Sequence, residues 1–197
     1  MANPYDDVEL TPRGMRALAH PTRLAILSRL QKAGPSTATA LAPEVGATPS
    51  VTSWHLRHLA EHGLVRDAAV ESDGRQRWWE AVGRGFRFTP PSDDAGRDAA
   101  ALLSRMMFDQ ARDLPEQWSH EVEPLLEDVW RRAAGLSNTT IVATAAEVER
   151  IEAAIEEVLA PYVLRKSSGE TVPDARAVRL LRYVLPAAAT PGAEDQE

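Results

Sequence analysis

Cysteine is missing from all 197 residues. Its absence excludes disulfides, thiolate metal sites and a cysteine nucleophile. Aromatic residues are scarce at 6%, yet five of them are tryptophans, so the position of each tryptophan is informative. No segment approaches the roughly 20 consecutive apolar residues that a membrane span needs. The opening MANPYDDVELTP lacks the basic stretch and apolar run of a secretory signal, so a soluble cytoplasmic protein with no membrane association is expected. The chain also lacks a phosphate-cradling glycine loop, a nucleophile elbow, and a helix with paired histidines flanking a glutamate. Its acidic pairs, Asp93-Asp94 and Glu156-Glu157, fall where a linker and a solvated helix face are expected. Neither catalysis nor a cofactor is expected.

Charge is unevenly distributed. The total of -7 conceals a balance of +5 over residues 10–88 and -9 over residues 89–197. The basic half is suited to phosphates, and the acidic half would be held away from them. With 44% hydrophobic residues the chain can bury a core.

Punctuation residues divide the basic half into short elements. Thr11 before Pro12 caps a helix over about 12–19, and His20-Pro21 interrupts it and starts a second with Leu24, Leu27 and Leu30 on one face. Gly34-Pro35 ends that helix. Ser36 or Thr37 caps a third, stopped by Gly46, and Thr48-Pro49 starts a fourth that runs to about His62, with Gly63 as its stop. Residues 64–70 and 76–82 read as two strands joined by a hairpin at Asp73-Gly74. Helices in this order followed by a β-hairpin are the parts of a winged helix-turn-helix.

The same stretch resembles the ArsR-type family of dimeric bacterial repressors. Three signatures carry the resemblance: Ala19-His20-Pro21-Thr22-Arg23-Leu24, Ser53-Trp54-His55-Leu56, and Gly63-Leu64-Val65. The resemblance covers about residues 12–88 and implies a DNA-binding homodimer. It also frames two departures. Arsenic-responding relatives sense through thiols, which this chain lacks, and metal-sensing relatives use His and Asp pairs after the wing, where the chain has only His120. A thiol-based metal sensor is therefore not expected.

In the fourth helix, Val51, Thr52, His55, Leu56, Leu59 and Gly63 fall on the side facing the helix beneath. Ser50, Ser53, Trp54, Arg57 and Glu61 fall on the other side, where a helix can enter the major groove. The expected DNA contacts are Ser50, Ser53, Trp54, Arg57 and His58, with Arg75, Gln76 and Arg77 of the wing. Arg57 can pair with guanine O6 and N7, the serines can bond a base or phosphate, and Trp54 can cover a thymine methyl or sugar. Wing arginines would fix register on phosphates or in the minor groove. An ordinary solvated face is the plain alternative for any one of these residues, and an outward tryptophan can also mark a protein contact. His55, His58 and His62 have helical spacing for two imidazoles to share a zinc ion, but a site needs more ligands than that. Of Trp78 and Trp79, adjacent in a strand, one should enter the core.

Residues 86–96 read as a linker, and the boundary between the domains is set at 89–96. Helices are expected over about 96–112 and 115–133, the second kinked or split at Pro124. A strand over 139–143, a helix from the capping box Thr144–Glu147 to about Ala160, and a strand over 177–185 would follow. Met106, Met107, Phe108, Trp118 and Trp130 read as core, dimer interface or a small-molecule pocket. Residues 1–10 and 186–197 read as disordered ends.

The expected architecture is α+β and mainly α. A winged helix-turn-helix domain (11–88) is followed by a helical extension with a small strand-helix-strand unit (97–185), in a homodimer. The expected role is a transcriptional regulator, most simply a repressor, on an inverted-repeat operator. Its partners would be duplex DNA, a second copy of itself and a small-molecule effector. The other reading is a winged-helix module that recruits a protein and binds no DNA.

Overall fold

The computed structural model describes residues 7–70, 76–88, 91–168 and 172–188. Its first part is the expected series of capped helices. Helix α1 (Pro12–Leu18) opens at Thr11, whose hydroxyl accepts from the Gly14 amide at 3.2 Å, and α2 (Pro21–Ala33) opens at His20, whose Nδ1 accepts from the Thr22 amide at 3.2 Å. Thr37 caps α3 (Ala38–Glu44) through the Ala40 amide, and Thr48 caps α4 (Pro49–Glu61) through the Val51 amide. Each cap satisfies an amide that the first helical turn leaves without a partner. The α3–α4 turn passes through Gly46 at φ +64°, and α4 ends at Gly63 with φ +68°. Both are left-handed conformations in which a Cβ would be strained.

The sheet is larger than a hairpin. Strands β3 (Val65–Asp67) and β4 (Trp78–Ala81) pair antiparallel, with Arg66 opposite Glu80, and β2 (Ser36–Thr37) pairs antiparallel with the other edge of β4. The wing strands are shorter than expected, and the hairpin tip, with Asp73, Gly74 and Arg75, lies outside the described residues. Two further corrections concern the ends of this unit. Residues 8–9, expected to be loose, form β1 (Val8–Glu9), which pairs in parallel with β5 (Phe86–Arg87), a segment expected to be linker. Leu10 is buried in the core. Apolar side chains explain both, since Val8 and Phe86 pack against the core and draw their backbones together.

The core lies where α1, α2, α3, α4 and the sheet converge. Leu18, Ile26, Leu41, Leu56 and Leu59 are wholly buried there, and Trp79 enters from the sheet while Trp78 stays half-buried. Helix α5 (Asp94–Ala111) starts earlier than expected, and Gly96, assigned to the linker, is buried inside it. It packs against α1 and α2 and adds Ala99 and Leu103 to the same core. Arg16 of α1 donates to the Ala95 carbonyl at its start.

Pro124 splits the next helix, as expected. Helix α6 (Leu114–Glu121) gives way to a 3₁₀ turn (Glu123–Leu125) and then α7 (Asp128–Ala133). The capping box forms in both directions: the Thr144 amide donates to Glu147 at 2.8 Å, and the Glu147 amide donates to the Thr144 hydroxyl at 3.3 Å. The helix it opens, α8 (Ala145–Ser168), runs beyond the expected end near Ala160 and through Pro161. The two flanking strands do not form. Residues 139–143 and 177–185 have no ladder partner and belong to no strand or helix. The architecture is thus a winged helix-turn-helix with a helical extension, α+β and mainly α.

Candidate nucleic-acid interface

Helix α4 buries one face and exposes the other. Thr52, His55, Leu56 and Leu59 are inside, and Thr52 also anchors its hydroxyl on the Thr48 carbonyl at 2.9 Å. Val51 and Gly63, assigned to the packed side by angle alone, are exposed. Val51 lies in the first turn, ahead of the residues that reach the core, and Gly63 lies past the helix end.

On the outer face Ser50, Trp54, Arg57 and Glu61 are exposed, Trp54 to 53%, and Ser53 and His58 are half-buried. Arg57 donates to the Ser53 hydroxyl at 3.2 Å, which holds the guanidinium against its own helix. A concavity of about 210 Å³ opens beside it, between α3, α4 and the wing. Four expected contact residues, Ser53, Arg57, Gln76 and Arg77, meet around it, joined by Thr37, Thr39 and Trp79. Thr37 and Thr39 were missed as site residues. Their signal was the capping pattern, which says where a helix starts but not that its start borders the wing.

Arg77 is fixed more firmly than a solvated wing arginine. It forms a two-pronged bond to Asp67 on the neighbouring strand, at 2.5 and 2.9 Å, and its guanidinium lies 3.9 Å above the Trp79 ring. The bond holds the Asp67 carboxyl below and the Arg77 guanidinium above their usual ranges. Arg66 pairs with Glu80 at 2.7 Å on the same ribbon. Arg75 falls outside the described residues.

The histidines form a ring ladder instead of a metal-ligand set. Trp54 stacks on His58 at 5.6 Å with planes 10° apart and meets His55 edge-on at 4.9 Å. His55 in turn lies 4.8 Å from His20, and His58 lies 5.0 Å from His62. Burial, helped by Arg23, lowers the imidazole pKa of His20. Burial likewise lowers that of His55, with His20, Arg23 and His58 adding to it. His58 is lowered by burial, then by Arg23 and His62, against an opposing pull from Glu61. The lowered pKa values favour neutral rings at this junction of α2 and α4, beside the Arg23 guanidinium. Among the described residues no group of three or more His, Asp and Glu is arranged to hold a metal ion.

The five apolar residues of the extension separate. Met106 packs against the core. Met107 and Phe108 line a cleft of about 200 Å³ between α2, α5 and residues 179–183, where Phe108 meets Tyr183 at 5.6 Å. Trp118 and Trp130 lie away from it, half-buried, and Arg176 sits 5.1 Å above the Trp130 ring.

The geometry is that of a helix-turn-helix with an exposed second helix and a wing beside it. A family described as a helix-turn-helix domain matches residues 18–68, which span α2, α3, α4 and β3. No curated protein matches the chain. Solved structures similar to it include two from bacteria. One is the homodimeric winged helix-turn-helix DNA-binding domain of Mb0332 from Mycobacterium bovis, described as a possible ArsR-family transcriptional regulator. It is 26% identical, with 51% of this chain and 77% of that one covered and a TM-score of 0.32. The other is NMB1585, a MarR family regulator from Neisseria meningitidis, 16% identical, with 72% and 79% covered and a TM-score of 0.32. Among the described residues no helix is long and apolar enough to cross a membrane.

Proposed function

We propose that the protein is a sequence-specific, DNA-binding transcriptional regulator of ArsR type. It acts in the cytoplasm as a homodimeric repressor on an inverted-repeat operator. The observation that carries this reading is the concavity at which Ser53 and Arg57 of α4 meet Gln76 and Arg77 of the wing. A helix lying in the major groove with a ribbon over the adjacent backbone needs these donors on one side of the molecule. Arg57 would read guanine, Ser50 and Ser53 would bond bases or phosphates, and Trp54 would cover a thymine methyl or sugar. His58 supports the Trp54 ring. Arg75 and Arg77 would grip the backbone, Arg77 through whatever capacity Asp67 leaves it.

Residues 11–88 would form the DNA-binding unit. Residues 97–185, whose first helix is rooted in the winged core, would dimerise and sense, with the cleft at Met107 and Phe108 as the effector site. One recognition helix covers only a few base pairs, so two symmetry-related copies on half-sites about one helical turn apart would supply affinity and specificity. Without thiols, the signal would not be a thiol-bound metal.

The test is selection of duplex fragments from a genomic pool at low salt, followed by a salt titration. The regulator enriches an inverted repeat and loses affinity steeply as salt rises, because neutralised phosphates release counterions. Failure to enrich any fragment would instead favour a winged module that docks a protein through Trp54.

A further inference from the structure

The outer face of α4 has two flanks, and the wing borders only one. At 3.6 residues per turn Ser53 and Arg57 lie on one side of Trp54, where the concavity beside the wing opens, and His55, His58 and His62 lie on the other. His55, 4.8 Å from His20, turns this second flank toward the start of α2. A helix seated in the major groove has a phosphate backbone along both walls, about 12 Å apart. The wing can reach one of them, and α2 is the element that borders the other side of α4.

Arg23 occupies that border. It is the third residue of α2 and half-buried, and its charge bears on His20, His55 and His58 alike. Burial lowers its pKa, but a guanidinium stays charged. The other arginines of α2 and α4 are engaged, Arg29 with Glu44 at 2.5 Å and Arg57 with the Ser53 hydroxyl. Glu61 turns to His58, at 3.7 Å. Among the described residues no carboxylate pairs with Arg23, and its Nε is buried without a hydrogen-bond partner. On α4, His55 is only 5% exposed, and its Nδ1 is likewise buried without a partner. Two unpartnered buried nitrogens in one junction point to an acceptor that the chain does not itself supply. The first turn of α2 adds to the attraction. The Thr22 amide is taken by His20, but the Arg23 amide has no acceptor within its helix, and the positive end of the helix dipole lies there.

We infer that Arg23, backed by His55 and the first turn of α2, binds a phosphate of the DNA backbone on the groove wall opposite the wing. The inference rests on the DNA-binding reading above and adds a contact to it. The chemistry selects a phosphate. An uncompensated guanidinium beside neutral imidazoles needs a ligand that brings the negative charge, and a phosphodiester offers two acceptor oxygens to the parallel N–H groups of an arginine. The Trp54 and His58 rings, stacked 10° from parallel, stand between this site and Arg57. A backbone held by Arg23 therefore leaves the base edges to the rest of the helix face. Arg77 on one wall and Arg23 on the other would together fix the depth and register of α4 in the groove.

The full-length protein tests this by fluorescence anisotropy on the selected operator and on a scrambled duplex, over a range of salt. Arg23→Gln weakens both duplexes by the same factor, roughly 5- to 10-fold at 0.1 M salt, and lowers the salt dependence by about one phosphate contact. Arg23→Lys, which keeps the charge, retains the wild-type salt dependence. Inorganic phosphate at millimolar concentration displaces the wild type no more than chloride of equal ionic strength does. Urea midpoints of both variants are measured alongside, because a merely structural arginine would lower stability and leave the salt dependence unchanged. That result would overturn the inference. So would a loss confined to the operator, which would make Arg23 a reader of bases, or specific displacement by inorganic phosphate, which would make the site one for the free ion. A wild type that binds no duplex would instead refute the DNA-binding reading itself, whereas selective binding indifferent to Arg23→Gln would refute this inference alone.

Discussion

Truncating Leu103 tests whether the winged core continues into α5. Leu103 is wholly buried among residues of α1 and α2, although it lies well beyond the matched helix-turn-helix stretch of residues 18–68. Its neighbour Leu102 is 45% exposed on the same helix and serves as a control of identical chemistry. Removing a fully buried leucine to alanine forfeits its transfer free energy and leaves a cavity, together about 3 kcal/mol within a usual span of roughly 2–5 kcal/mol. For a chain of this length that corresponds to a fall in Tm of roughly 6–12 °C. Leu102→Ala should stay within about 0.5 kcal/mol, because alanine keeps the helix and little burial is lost. Thermal melts followed by far-UV circular dichroism, with urea titrations as a second measure, give both values. Equal effects at the two positions, or a loss under about 1 kcal/mol at Leu103, would refute a core shared between α1, α2 and α5.

Further outcomes follow from local geometry. Thr48→Ala leaves the Val51 amide without its cap and should cost about 1 kcal/mol, whereas Thr48→Ser should cost little; urea midpoints measure both. The neutral rings of His20 and His55 make stability depend on pH. Their folded pKa values lie below the unfolded value of 6.5, so as pH falls below 6.5 the unfolded chain takes up protons first and stability declines. Urea midpoints at pH 7.5, 6.5 and 5.5 should fall in that order, and His55→Gln combined with His20→Asn should flatten the trend. An unchanged slope in the double variant would assign it to other groups. Arg77→Ala should weaken binding to all duplexes alike and lower the salt dependence by about one phosphate contact, read by fluorescence anisotropy. A change in base preference instead would mean that the wing reads sequence.

The helix-turn-helix was legible because its signals are local. Thr11, Thr37 and Thr48 cap, Pro12, Pro21 and Pro49 start, and Gly34, Gly46 and Gly63 stop, each within a few residues of the element it punctuates. The misread segments depend on distant partners. Strands β1, β2 and β5 have two residues each, too few to show alternation, and exist only because Phe86, Trp78 and Trp79 bring a partner backbone to them. Residues 139–143 and 177–185 show the opposite error. Their β-branched and alternating residues have the composition of strands, but a strand is defined by its ladder, and no backbone comes alongside. At the candidate site, helical angle separated Trp54 and Arg57 from Leu56 and Leu59. It did not reveal that Asp67 clamps Arg77, since the charge partner sits across a hairpin ten residues away.

On the proposed function, the outer face of α4 discriminates between DNA sequences. The most direct measurement compares wild type and Arg57→Ala on the selected operator and on a scrambled duplex of equal length, by anisotropy over a range of salt. The prediction is that Arg57→Ala cuts the operator-to-scrambled affinity ratio by roughly 5- to 150-fold, the equivalent of about 1–3 kcal/mol for one guanine contact, and leaves affinity for the scrambled duplex nearly intact. An unchanged ratio, or a wild type that binds both duplexes equally at every salt concentration, would contradict it.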